Sequence, residues 1–216
     1  VIHPQTKEQY FGDHRGTGIV ATCFIPAGTL VWIPGPTDEL LTYAEISAQS
    51  AERKAYLADY AYLTNAGTYI VSNDSARFVN HSCNANSLTI AGPEVSIAIR
   101  DIAAGEEMSE DYGLYYANGG FENCACGSEY CRGYIASADI ENCGDDWDRS
   151  ILTALGQLRL VEQPLWPHLD RQLQHSLLHY NADPQCVPSC KTLQVTASEL
   201  RRAGELLWPT EVVSQT

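Results

Sequence analysis

Short β-prone apolar runs separated by turn residues mark much of the first hundred residues. Gly16-Thr17-Gly18 precedes the β-prone run Ile19-Val20-Ala21-Thr22-Cys23-Phe24-Ile25. A turn at Pro26-Ala27-Gly28 leads into a second strand, Thr29-Leu30-Val31-Trp32-Ile33. Residues 42–58 are rich in Ala, Glu, Lys and Leu, and Thr42 stands three residues before Glu45, which predicts a capped helical insert. Strand character returns over 60–71, where Tyr60, Tyr62 and Thr64 alternate and Thr68-Tyr69-Ile70-Val71 follows Ala66-Gly67. Two more strands flank Gly92-Pro93: Ser87-Leu88-Thr89-Ile90 and Val95-Ser96-Ile97-Ala98-Ile99. Short strands at close spacing predict a mostly antiparallel β domain with α insertions.

The texture changes after Cys131. Asp139, Glu141, Asp145, Asp146 and Asp148 read as an acidic connector. Ile151, Leu152, Leu155, Leu158 and Leu160 then predict an amphipathic helix starting near Asp148, with further helices over 168–180 and 197–207. The expected organisation is a domain over 1–116, a short segment over 117–138 and a separate helical appendage over 139–216. Trp147, Trp166 and Trp208 mark packing surfaces or core positions within that appendage.

Composition narrows the class. The chain has 216 residues, 44% apolar and 19% charged, which is a globular balance. Its formal net charge of −14 opposes direct nucleic-acid binding and favours basic peptides, although the same charge also serves solubility. No apolar run is long enough to span a membrane. The start, Val1-Ile2-His3-Pro4, carries no signal-peptide pattern and no initiator Met, so removal of an upstream segment is expected. Asn73-Asp74-Ser75 and Asn80-His81-Ser82 match the glycosylation triplet, which matters only on a secretory route. Eight cysteines without a secretory signal point to reduced thiols and an intracellular setting, cytoplasmic or nuclear.

The cysteines carry the first chemistry. Cys124, Cys126 and Cys131 are spaced C-x-C-x4-C, and Cys83 lies far upstream beside Asn80-His81. Four soft ligands of this kind suit one tetrahedral zinc that ties a tail back to the domain; free or disulfide-paired thiols are the plainer reading. Cys23, Cys143, Cys186 and Cys190 read as ordinary thiols or a disulfide, although Cys186 and Cys190 sit near His175 and His179 and could bind metal. Gly16-x-Gly18 alone signals only a tight turn or a close backbone approach.

In order, the pieces say more. Arg15-Gly16-Thr17-Gly18, Arg77-Phe78-Val79-Asn80-His81-Ser82-Cys83, Gly105-Glu106-Glu107-Met108-Ser109-Glu110-Asp111-Tyr112 and the C-x-C-x4-C run closely resemble the SET-domain protein-lysine methyltransferases with a post-SET zinc segment. Ile25-Pro26-Ala27-Gly28-Thr29-Leu30 resembles that family's early strand and turn, and the resemblance covers about residues 10–135. It implies small antiparallel sheets with a knot-like threaded segment and S-adenosylmethionine as methyl donor. Arg15, Gly16, Thr17, Gly18, Asn80, His81 and Tyr112 would meet the donor. Tyr112 would be the catalytic tyrosine, and Tyr62, preferred over Tyr60, the second tyrosine of a lysine channel. Cys83, Cys124, Cys126 and Cys131 would hold one Zn2+. The implied substrate is a lysine ε-amine on a basic protein tail such as a histone, added as a strand to a sheet edge.

Tyr60, Tyr62, Tyr69, Tyr115, Tyr116 and Phe121 are candidate channel walls, although tyrosines in strands commonly just pack. Two departures stand out. Glu110 occupies a place where the family usually has Phe or Tyr, which leaves the degree of methylation open. Asn84-Ala85-Asn86 also lacks a proline that family members commonly carry. The alternative to an enzyme is a SET-like module that holds a basic peptide without chemistry. A zinc hydrolase is excluded, because four thiolates leave no open position for water.

Overall fold

The computed structural model describes residues 1–64, 67–115 and 120–194. Its strands are β1 (Thr6–Tyr10), β2 (Thr17–Ala21), β3 (Leu30–Trp32), β4 (Glu39–Leu41), β5 (Tyr62–Leu63), β6 (Tyr69–Val71), β7 (Asn80–His81), β8 (Ser87–Ile90), β9 (Val95–Ala98), β10 (Glu107–Glu110), β11 (Gly120–Glu122) and β12 (Tyr134–Ala136). The α-helices are α1 (Tyr43–Ser47), α2 (Ala51–Tyr60), α3 (Asp139–Gln157) and α4 (Arg171–Ala182). The principal sheet runs β1-β2-β10-β8-β9-β3, with β7 also pairing to β10. A second sheet runs β4-β6-β5, and β11 pairs with β12. The expected mostly-β architecture with helical insertions is present, but β10 pairs in parallel with both β7 and β8. Parallel pairing leaves no hairpin turn in the sequence, so local patterning gives no sign of it.

The helical insert forms for the predicted reason. Thr42 accepts the Glu45 N–H at 3.3 Å, and Glu45 accepts the Thr42 N–H at 2.7 Å, a reciprocal cap. Ser50 caps α2 by accepting the Arg53 N–H at 3.2 Å. Tyr60 ends this helix and is not in a strand; sheet alternation resumes only at Tyr62.

The acidic connector is also helix. α3 begins at Asp139, nine residues ahead of the expected start at Asp148. Acidic side chains in a first turn complement the positive end of the helix dipole, so Asp139 and Glu141 favour the helix. Ile140, Gly144, Trp147, Ile151, Ala154 and Leu155 form its buried face.

That face does not belong to a separate appendage. Ile140, Trp147, Ile151 and Leu155 share one core cluster with Leu30, Leu88, Ile90 and Ile97 of the principal sheet. Leu177 of α4 and Leu193 join the same cluster. Gly28 marks how close the approach is: its φ of +90° suits glycine, and a Cβ there would lie 2.5 Å from the Gln157 Cβ. Gln163 fastens the same turn, donating to the Gly28 carbonyl at 2.7 Å and accepting the Leu30 N–H at 2.9 Å. The helix expected over 197–207 and Trp208 lie outside the described residues.

Because sheet and α3 share a core, Ile151→Ala should destabilise the whole unit by about 3 kcal/mol. Urea denaturation followed by circular dichroism and tryptophan fluorescence should show both signals falling in one transition; a separate, earlier loss of helix would contradict the shared core.

Candidate functional site

β10 gathers the site. Its N-terminal half pairs with β2, Met108 opposite Ile19, and its C-terminal half pairs with β7, Ser109 opposite Asn80 and Glu110 opposite His81. Strand β2 brings the Arg15–Gly18 turn and β7 brings Asn80 and His81, while the chain leaving β10 carries Asp111 and Tyr112. Three stretches distant in sequence therefore meet along one strand.

At the glycine turn, Asn80 Nδ2 donates to the Thr17 carbonyl at 3.2 Å and to Glu107 Oε1 at 2.9 Å. Arg15 ion-pairs with Glu107 and lies over the Phe11 ring. Gly16 has a φ of +66°. Gly18 is required by crowding, since a Cβ would lie 2.5 Å from Glu107 Oε1 and 2.7 Å from Asn80 Nδ2. A cleft of about 390 Å³ opens beside this turn, between Arg15, Ser82, Glu107 and Ser109 on one side and Cys126–Glu129 on the other.

Tyr112 is fixed from two directions. Its hydroxyl donates to the Val79 carbonyl at 2.7 Å, and its N–H donates to His81 Nδ1 at 3.2 Å. An acceptor at Nδ1 places the neutral ring's proton on Nε2, which points at Cys83 Sγ 3.2 Å away. Burial pushes the imidazole down to about 4, against the pull of nearby Asp111, so the neutral ring holds at neutral pH.

The sulfur atoms converge. Cys83 and Cys124 Sγ are 3.9 Å apart, and one ligand atom each from His81, Cys83, Cys124 and Cys126 falls within 4.8 Å of the others. Two thiolates on one tetrahedral zinc stand about 3.8 Å apart, so this spacing fits. The Cys131 thiol is within hydrogen-bonding reach of those of Cys124 and Cys126. The group close enough to share one ion is thus His81, Cys83, Cys124 and Cys126, with Cys131 beside it, and this nitrogen and sulfur donor chemistry fits zinc. Burial raises Cys83 to about 11. Burial opposes ionisation at Cys126 too, but N–H groups of Cys83 and Ser128 and the Cys124 and Cys131 thiols bring it down to about 7. Cys23, Cys143, Cys186 and Cys190 are free thiols, one of the two readings expected for them; Cys186 bonds Asp183, and Cys190 is buried beside Gly144.

Sequence reasoning missed the charge cluster beside Tyr112. Arg132 donates from Nη2 and Nη1 to the two oxygens of buried Asp111, at 2.7 and 2.8 Å, and its Nε lies 3.3 Å from Asp139 Oδ2. The Arg132 N–H also points at Cys83 Sγ, 3.4 Å away. Adjacency to Cys131 and Tyr112 was the available signal, but nothing local pairs residues 21 apart.

A second cavity, of about 120 Å³, is walled by Trp32, Tyr60, Tyr62, Tyr112 and Tyr115, with Glu110 in its lining. Tyr62 and Tyr112 thus face one space. Tyr62 and Tyr115 rings stand 5.4 Å apart, and Tyr62 meets Trp32 edge-on at 6.3 Å. Tyr69 does not line this space; it packs with Leu63 and Val71 in a separate cluster. Tyr116 and the Phe121 side chain lie outside the described residues.

Residues 16–113 match the SET domain family. The chain carries a SET domain. Similar proteins include histone-lysine N-methyltransferase ASHH2 of Arabidopsis thaliana, 25% identical over 162 residues, 64% of this chain and 9% of that protein. The H3 lysine-36 specific histone-lysine N-methyltransferase of Schizosaccharomyces pombe is 30% identical over 106 residues, 45% of this chain and 13% of that protein. The chain therefore spans under a fifth of the length of either relative. The crystal structure of the methyltransferase domain of human histone-lysine N-methyltransferase SETMAR aligns with a TM-score of 0.45 at 25% identity, over 62% of this chain and 58% of that one.

Arg132→Ala leaves the Asp111 carboxylate of the SET domain buried without its counter-charge, and should lower unfolding free energy by about 3 kcal/mol in urea titration. Adding Asp111→Asn should restore part of that loss, since the pair is coupled; simple additivity of the two losses would show that the two groups act independently.

Proposed function

We propose that this SET domain transfers a methyl group from S-adenosylmethionine to the ε-amine of a lysine on a basic protein, of which a histone tail is the leading case. The observation that carries this reading is the meeting of Gly18, Asn80 and Tyr112 around β10, with the cleft and the aromatic cavity both built on that strand.

The residues fit the cofactor. Gly16 and Gly18 offer a backbone edge without side-chain bulk, flanked by Arg15 and Thr17, and Asn80 and His81 lie across from it. When bound, S-adenosylmethionine supplies an electrophilic sulfonium methyl. The carboxylate of Glu107 and the carboxamide of Asn80 are the polar groups at the crowded Gly18 position, suited to an ammonium and a carboxylate. Zinc, when bound, supplies a cross-link between Cys83 and the tail carrying Cys124, Cys126 and Cys131.

Three tasks fall to the chain. The lysine stem must be stripped of water, and the Trp32, Tyr62 and Tyr115 faces do this while tolerating a cation. The amine must lose a proton, because a free lysine titrates at about 10.4. The amine must also be held in line with the methyl, a positioning task. Tyr112 acts on the last. Its O–H donates to the Val79 carbonyl, which fixes the hydroxyl oxygen as an acceptor of weak C–H contacts from a polarised methyl. Strand β5, which carries Tyr62, is an edge of its sheet among the described residues, so a substrate strand can pair beside it.

The net charge of −14 suits a Lys/Arg-rich partner, and the histone methyltransferase relatives support a nuclear or other intracellular location. No described helix is long and apolar enough to cross a membrane. Under this reading, divisions at 116 and 138 would separate a SET domain, a zinc segment and the helices that pack on the sheet.

Incubation with labelled S-adenosylmethionine and a histone panel, read by mass spectrometry, should place the label on lysine. Tyr112→Phe should slow transfer by about 100-fold while leaving cofactor affinity within about threefold. Gly18→Ala should instead weaken cofactor binding at least about tenfold by calorimetry, since its Cβ must displace Glu107 and Asn80. Cofactor binding without transfer to any substrate would favour a non-catalytic module.

A further inference from the structure

Glu110 is a half-buried carboxylate that lines the aromatic cavity, and among the described residues no basic side chain pairs with it. Thr89 Oγ1 and Ser96 Oγ both donate to its Oε1, at 2.7 and 3.1 Å. Tyr115 feeds the same network, its hydroxyl 2.6 Å from Thr89 Oγ1. Burying a carboxylate without a counter-charge is costly, and aiming hydroxyls at it only partly offsets that cost. A group of this kind makes sense where a cation arrives.

Resting on the methyltransfer reading, we propose that Glu110 is the catalytic base of this SET domain: it binds the incoming lysine ammonium and takes its proton. The proton moves from the ammonium nitrogen to a Glu110 carboxylate oxygen, leaving a neutral amine with a free lone pair. The nitrogen then forms a bond to the methyl carbon as the carbon–sulfur bond breaks, and that electron pair stays on sulfur as a thioether. The product leaves as a methylammonium, and the Glu110 proton passes to water as the cavity reopens.

The surroundings match the task. Burial raises the Glu110 carboxyl above the ordinary range, and the hydroxyls of Thr89, Tyr115 and Ser96 pull it back only in part. The groups facing it are Tyr62 from β5, Tyr115, Thr89 from β8, Ser96 from β9 and Asp111 on its own segment. Asp59 and Arg77 also line the cavity, while Glu94 and Asp38 act on Tyr62. Both Tyr62 and Tyr115 are pushed well above 10 by burial first and then by the Glu110 charge, so they stay protonated and leave the carboxylate as the base.

The test is single-turnover methyl transfer by the full chain to a synthetic peptide carrying one lysine between arginines, from pH 7 to pH 9. The unmodified protein should change rate by less than about threefold, because its own base removes the proton. Glu110→Gln should be about 100-fold slower at pH 7 and gain about tenfold per pH unit as lysine itself deprotonates. A variant whose profile runs parallel to that of the unmodified protein, fast or slow, overturns the proposal. If Glu110→Gln fails to fold, Glu110→Asp decides: a flat profile supports the role and a tenfold-per-unit rise removes it. Calorimetry with the same peptide and its norleucine twin reads Glu110 without turnover. The unmodified protein should prefer lysine by about tenfold and Glu110→Gln should lose that preference; retention overturns it. If the unmodified protein transfers no methyl, the methyltransferase reading fails, while the norleucine comparison still judges Glu110.

Discussion

Everything at this site depends on the two-sided pairing of β10. One edge of the strand reads antiparallel to β2 and the other parallel to β7, so Gly18, Asn80 and Tyr112 are held by backbone ladders and not by loops alone. Met108 and Ser109 are buried in the middle of this junction, and Asn86 locks it from below by accepting the Ser109 N–H at 2.9 Å and donating to the Glu107 carbonyl at 2.8 Å. A slip of one residue would invert which side chains face the aromatic cavity, so the register is itself functional.

The second constraint is the disposal of charge next to that junction. Asp111 is 1% exposed, and an isolated carboxylate there would be strongly disfavoured. Arg132 compensates from the segment that carries Cys124, Cys126 and Cys131, and Asp139 shares the guanidinium from the start of α3. Three regions of the chain therefore depend on one ion cluster directly before Tyr112. His81 adds a neutral link, joining the Tyr112 backbone to the Cys83 sulfur. Order in the sulfur cluster and order at Tyr112 are physically the same problem.

Much of this was legible in the sequence and some was not. The glycine turn, the Asn80-His81 run, Tyr112 and the four cysteines could be read because each combines rare residue types at fixed spacing. The caps at Thr42 and Ser50 could be read because capping is local. Parallel pairing of β7 with β10 could not, since it depends on residues about thirty apart. The early start of α3 was hidden because five acidic residues looked like solvated loop, whereas most of them form the outer face of a helix whose apolar face completes the sheet's core. Tyr69 was misplaced because alternation alone does not say which side of a strand meets a cavity. Glu110 was visible as an oddity, but its burial and its hydroxyl partners are properties of the fold.

The central claim is that Cys83, in the turn just after β7, is stapled to the distant tail by a single metal. Elemental analysis of the purified chain tests it most directly, alongside the Cys83→Ser variant. The account predicts one zinc per chain, and a variant that loses zinc together with its cofactor affinity. Zinc-free protein that still binds S-adenosylmethionine, or a variant that keeps both, would contradict it.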